Sequence, residues 1–219
     1  MAGPLSAKGA FTACIGYGNI LLFGGYLSIG DFMDDLSTLG PLAGLLGVWE
    51  GDKGDDRAPD DDRVSVETNK FRERMEFEPT GRVDNHEQTL YGLRYKTTAW
   101  RLGADEPFHE ELGYWLWDAA RETVMRCFMV PRGVSVIAGG KVDAGAKSFE
   151  LTAKLGSETF GICSNPFLDK EFRTESYWLK VCVLDGDTLS YEEDTRLRIK
   201  GQKDIFHHTD KNTLKRVKS

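Results

Sequence analysis

Pro41-Leu42-Ala43-Gly44-Leu45-Leu46-Gly47-Val48-Trp49-Glu50-Gly51 is the stretch that decides the fold. It reads as one short apolar helical turn running into a strand that opens Gly-x-Trp-x-Gly. A brief helix of this kind lids one end of a small β-barrel, and a Trp on the first strand plugs the barrel floor. The glycines leave room where backbones cross closely or a strand bends sharply.

Downstream, Asp52 to Asp62 holds six aspartates with Lys53, Gly54, Arg57 and Pro59, which predicts a solvated loop. Its spacing departs from the calcium-loop pattern, and no glutamate closes it. Strand then follows strand. Val64 to Phe77 is a long candidate, closed by the expected turn Glu78-Pro79-Thr80-Gly81. Gln88 to Arg101, Phe108 to Trp117, Thr123 to Val130, Val134 to Gly139, Phe149 to Ala153 and Tyr177 to Leu184 succeed one another at short intervals. Leu189, Tyr191, Glu193, Thr195 and Leu197 alternate with Ser190, Glu192, Asp194, Arg196 and Arg198, the period of two that marks a strand with a solvated face. Asp185-Gly186-Asp187 is a hairpin turn. No segment past residue 46 carries a helical period over three turns. About ten antiparallel strands on tight turns predict an all-β fold, an up-and-down barrel of the lipocalin or fatty-acid-binding-protein kind with a short N-terminal helix, since closure removes exposed edges.

The 219 residues suit one barrel domain over residues 33–219, preceded by an extension over residues 1–32. Gly9 to Gly30 is uncharged and follows Lys8, but it is glycine-rich and interrupted by Asn19. It reads as the product of an upstream start codon ahead of Met33, with a signal-like segment as the alternative. Hydrophobic residues make up 40% and charged residues 29%, which allows a core and excludes wholesale disorder. A net charge of −7 argues against nucleic acid as a partner, because phosphate binding needs a basic face. Cys14, Cys127, Cys163 and Cys182 have no metal-like spacing, and Cys127 and Cys182 are expected as small buried hydrophobes. That pattern fits a reducing cytoplasm.

No hydrolase, phosphate-loop or zinc-protease motif is present, so the four histidines carry the candidate chemistry. His86 lies in a predicted turn. His109 is expected to pair with Glu110 or Glu111, with a ligand-facing group as the alternative. His207 and His208 are adjacent just before the final strand, so one points into the barrel and the other to solvent. An imidazole aimed into an apolar cavity is what a single-histidine haem site requires. Spacing alone is equally that of two ordinary strand histidines.

Three anchors between Pro41 and Val217 resemble the nitrobindin family of haem-binding barrels. The first is Pro41–Gly51, where Gly47, Trp49 and Gly51 match the family's Gly-x-Trp-x-Gly-x-Gly and Lys53 replaces its last glycine. The second is Phe108-His109-Glu110-Glu111-Leu112-Gly113-Tyr114-Trp115, which is similar to the family's His-Glu-Glu-x-Gly-aromatic strand. The third is the tail, where the family sets its axial histidine shortly before a final strand carrying Leu and Arg, here Leu214 and Arg216. The resemblance implies that His208 is the axial ligand of haem b. The spacing from His208 to Leu214 is longer than usual by one residue, which leaves His207 as the alternative. The family's Tyr-Pro-Thr is replaced by the aspartate run, so Ser65 or Thr68 would stand in for its Thr. Gly161 to Arg173, with Asn165-Pro166-Phe167, looks like an insertion.

The resemblance further implies a five-coordinate ferric iron with an open face in a mostly apolar pocket. It also implies nitric oxide binding and conversion of peroxynitrite to nitrate, with no catalytic residue beyond the ligand. The rival expectation is a haem-free carrier of a fatty acid or other apolar ligand, anchored by an inward Arg126 or Tyr191. A third is a scaffold barrel with a filled core. The expected partner is a small-molecule ligand, without nucleic acid or membrane, and a homodimer is left open.

Overall fold

The computed structural model describes residues 36–218. The expected extension, its boundary at residue 33 and Cys14 lie outside the described residues. A 3-10 segment, Leu36–Leu45, leads into β1 (Gly47–Pro59), β2 (Val66–Asn85), β3 (Gln88–Arg101), β4 (His109–Asp118), β5 (Thr123–Val130), β6 (Val134–Lys141) and β7 (Ser148–Lys154). There follow the three-residue β8 (Ile162–Ser164), the short helix α1 (Pro166–Glu171), β9 (Phe172–Leu184), β10 (Thr188–Ile199) and β11 (Phe206–Arg216). Each long strand pairs antiparallel with the next, β7 with β9, and β11 returns to β1. Gly139 bridges to Thr152 between β6 and β7, so ten long strands close into the expected up-and-down barrel.

β8 pairs only with Val134–Val136 at the start of β6. There β6 splays from β7, and the Gly161–Arg173 segment fills the seam. Asn165 caps α1 by accepting from the Phe167 and Leu168 amides.

Side chains alternate in and out along every strand, and the interior falls into two halves. At the end lidded by the 3-10 segment the filling is apolar, with Leu39, Leu42, Leu45, Trp49, Phe77, Leu93, Trp115, Leu151, Leu179 and Leu214 buried together. Trp49 is 0% exposed, and its Nε1 donates to the Leu45 carbonyl at 2.7 Å. The Arg216 guanidinium lies 4.1 Å from the Trp49 ring centroid and donates to the Gly44 carbonyl at 3.0 Å. The lid is thereby tied to the first and last strands. Gly47 has φ +106, and a Cβ on Gly51 would come within 2.6 Å of the Thr213 carbonyl oxygen, so both positions of the motif require glycine.

Three sequence expectations are corrected. The aspartate run is not a loop up to Asp62. β1 continues through it to Pro59, laddered on both sides by β2 and β11, and the turn is confined to Asp60–Ser65. A register shift between Gly51 and Gly54 turns Gly54 and Asp56 inward. Glu78–Gly81 is likewise no turn. β2 runs on to Asn85, and Pro79, which has no N–H to give, sits at a register shift before Gly81. The chain reverses at Asn85–Gln88, where exposed His86 takes φ +55. Cys127 and Cys182 are also not core residues. They stand half-buried on the outer face, because their inward neighbours are Arg126, Phe128, Val181 and Val183.

Candidate functional site

The half of the barrel away from the lid carries the polar interior. On β11 the even positions Phe206, His208, Asp210, Asn212 and Leu214 face inward. His207 therefore faces out. It is exposed, and its Nδ1 lies 2.9 Å from Asp194 Oδ2. His208 is half-buried, with Nε2 3.0 Å from Asp56 Oδ1 and 3.8 Å from Asp210 Oδ2. Asp56 Oδ2 accepts from Asn69 Nδ2 at 3.0 Å, and Asn69 Oδ1 accepts from Arg101 Nε at 3.0 Å. A line of hydrogen bonds thus runs from the rim to the imidazole.

Burial raises the Asp56 carboxyl, but the bonds from His208 and Asn69 outweigh it and hold the group below the ordinary range. Burial disfavours a charged His208. The hydrogen bond to Asp56 and the charge of Asp210 outweigh that and raise its pKa. Nε2 therefore donates to an ionised Asp56. Asp210 is pushed up to about 8 by burial, with the charges of Glu193 and Asp56 adding to the push against His208.

Deeper in, Arg126 bridges two glutamates. Its guanidinium pairs with Glu111 and Glu193 and also meets the Tyr95 and Tyr177 hydroxyls. Tyr95 donates to Glu111 at 3.0 Å, and Tyr177 donates to Glu193 at 2.8 Å. Burial would raise Glu111, yet the Arg126 charge and the His109 hydrogen bond take it down to about 2. His109 Nε2 lies 3.3 Å from Glu111 Oε1, the pairing expected for it. Glu73 has no such cation. Tyr191 and Asn212 donate to its Oε2 at 2.8 and 3.0 Å, and burial pushes its carboxyl up to about 7. Thr97 Oγ1 and Trp115 Nε1 are buried in the same interior with no protein partner.

The predicted residues divide between the two ends. Gly47, Trp49 and Gly51 build the lidded floor. Ser65 is exposed in the Asp60–Ser65 turn, where its Oγ donates to Asp62 Oδ2 at 2.7 Å, and Thr68 is exposed on β2, so neither is brought to His208. Of the residues predicted to hold haem only His208 faces the polar interior, which it shares with His109, Arg126 and Tyr191, singled out for other roles. Asp56, Asn69, Glu73 and Asp210 were missed as site residues. Asp210 had a local signal, being two residues beyond His208 on the same strand face, whereas Asp56 had none.

A family described as the THAP4-like, heme-binding beta-barrel domain matches residues 38–216. The chain belongs to this family. A crystal structure of Rv2717c from M. tuberculosis superposes with a TM-score of 0.58 at 23% identity, over 83% of this chain and 98% of that one, which shows the same fold. No curated protein matches the chain. The nitrobindin resemblance therefore stands at the level of family, and the cofactor of the family is haem.

The donor chemistry fits such a group. The inward imidazole of His208 has a ring nitrogen engaged by a carboxylate, which leaves the other nitrogen as the lone-pair donor, as metal-bound histidines are commonly held. Apolar surface is supplied at the rim by Phe206, Phe71 and Phe108, the last two with ring centroids 5.9 Å apart. The mostly apolar pocket implied by the resemblance is corrected further in, where the interior is charged. Among the described residues no helix is long and apolar enough to cross a membrane.

Proposed function

We propose that this barrel binds haem b through His208, binds nitric oxide there, and isomerises peroxynitrite to nitrate in the cytoplasm. The observation that carries the reading is the inward, carboxylate-backed imidazole of His208 on the last strand, in a chain whose family is haem-binding. Bound haem would supply a redox-active iron with one open position for a small ligand. The chain's own groups do the rest. Asp56 fixes the ring of His208, Asn69 and Arg101 fix Asp56, and the rim phenylalanines keep water off the apolar part of the site. Peroxynitrite and nitrate contain the same atoms, so the reaction needs no proton donor, and Arg126 and Glu111 remain bound to each other throughout.

The haem-free fatty-acid carrier is less well supported. Arg126 is already neutralised by Glu111 and Glu193, and the Tyr191 hydroxyl is committed to Glu73, so neither expected anchor is available to a carboxylate. The test is a haem titration of the purified apoprotein followed by its Soret band. Stoichiometric uptake with a ligand-sensitive band supports the reading, and uptake no greater than that of free haem in buffer overturns it.

A further inference from the structure

We propose that the haem-free chain binds a single divalent transition-metal ion between Asp56, His208 and Asp210. The three groups lie on two neighbouring strands with the same inward parity. Asp56 is the direct cross-strand partner of Asp210, and His208 stands two residues from Asp210 along β11. One ligand atom from each lies within 4.8 Å of the other two. Two ligands each about 2.0–2.2 Å from one ion lie no more than about 4.4 Å apart, and His208 Nε2 stands 3.0 Å from Asp56 Oδ1 and 3.8 Å from Asp210 Oδ2, within reach of a common centre.

The surrounding cations give a second reason. Glu111 and Glu193, deeper in the same interior, are matched by Arg126, yet among the described residues no Lys or Arg forms an ion pair with Asp56 or Asp210. His208 is the one basic side chain paired with either. Two inward carboxylates and one imidazole therefore offer three donors that no Lys or Arg occupies, and a divalent ion can be seated among them. Asn69 already holds Asp56 Oδ2, which leaves Oδ1 on the side of the imidazole. One imidazole nitrogen and two carboxylate oxygens suit Zn2+, Co2+ or Mn2+ rather than Cu(I), which prefers sulfur donors. This inference does not rest on the haem reading. Both use His208, so ion and haem compete.

The experiment is a Co2+ titration of the haem-free full chain, followed by visible absorption and repeated with Zn2+ by calorimetry. One saturable site is expected, weakened at least tenfold in Asp56→Asn and in Asp210→Asn, and unchanged in Glu110→Gln, an outward-facing carboxylate on β4 beside Lys96. Far-UV circular dichroism certifies that the variants fold, and Asp210→Asn decides the matter if Asp56→Asn does not. Wild type without saturable binding overturns the proposal, as does binding that Asp210→Asn leaves unchanged. The haem titration is read separately. Haem uptake without Co2+ binding removes this inference alone, and Co2+ binding without haem uptake removes the haem reading alone.

Discussion

Asp56 Oδ1 meets His208 Nε2 at 3.0 Å across the β1–β11 seam, joining residues 152 positions apart in the chain. This is the seam at which the last strand closes onto the first, so closing the barrel and assembling the site are one event. Asp56 faces inward because of the register shift between Gly51 and Gly54, and His208 because of the even parity of β11. Neither strand alone contains the site.

At the lidded end, Trp49→Ala is expected to cost about 3–5 kcal/mol, the range for a large buried aromatic cut to alanine. The ring is fully buried, and its Nε1 and face hold the 3-10 segment and Arg216 in place. Its neighbours are strand residues fixed by ladders on both sides, which limits collapse into the gap. Urea denaturation measures the loss, and an unchanged midpoint would remove Trp49 from the floor.

Arg126→Met should be severely destabilising at pH 7, by about 3–5 kcal/mol, because it leaves two buried carboxylates without their cation. Arg126 itself is 3% exposed. The deficit should shrink at acid pH, where Glu111, no longer held down by the Arg126 charge, can take up a proton in place of the lost cation. A deficit independent of pH would mean that lost packing, rather than uncompensated charge, is the cause.

The strand pattern was legible because alternation is a local property. Gln88–Arg101 and Thr123–Val130 are found with the limits read from the sequence. Glu78–Gly81 misled because turn residues also serve a bulge, and here β3 is long enough to keep β2 paired beyond Pro79. The aspartate run misled for a deeper reason. Composition reports solvation, but Asp56 is buried against an imidazole and an amide contributed by other strands, and nothing near it in sequence announces them. The histidine pair was half legible. Alternation required one ring inside, and β11's pairing with β1 and β10 sets which.

Glu73→Gln is expected to stabilise the protein at alkaline pH. The Glu73 carboxyl titrates at about 7 in the fold against an ordinary 4.5. Burial is the main cause, with the charges of Glu111 and Glu193 adding to it. Between those values the folded state binds more protons than the unfolded one, so stability falls as pH rises from 4.5 to 7 and is lowest above that window. The penalty amounts to roughly 3 kcal/mol at about 1.4 kcal/mol per pKa unit. A glutamine keeps an acceptor for Tyr191 and Asn212 and carries no charge. Melting wild type and variant at pH 4.5 and pH 8.5 should show the variant gaining mainly at the higher pH, and equal shifts at both would refute the assignment.

The histidine pair gives the sharpest test of the haem reading. His208→Ala should abolish the Soret band of protein titrated with haem while leaving far-UV circular dichroism intact, and His207→Ala should retain it. His207 is exposed on the outer face and engaged with Asp194, so its loss costs little more than a surface ion pair, about 0–1 kcal/mol. His208 offers the inward imidazole, and its removal leaves Asp56 and Asp210 facing each other without it. That loss will lower stability as well. Asp56→Asn separates the two effects, because it keeps the imidazole but weakens its hydrogen-bond partner. The variant should still take up haem, with a shifted Soret maximum and a higher iron reduction potential, since a less electron-rich histidine stabilises ferric iron less. Haem retained by His208→Ala and lost from His207→Ala would leave the barrel intact and move the ligand to the other face of β11.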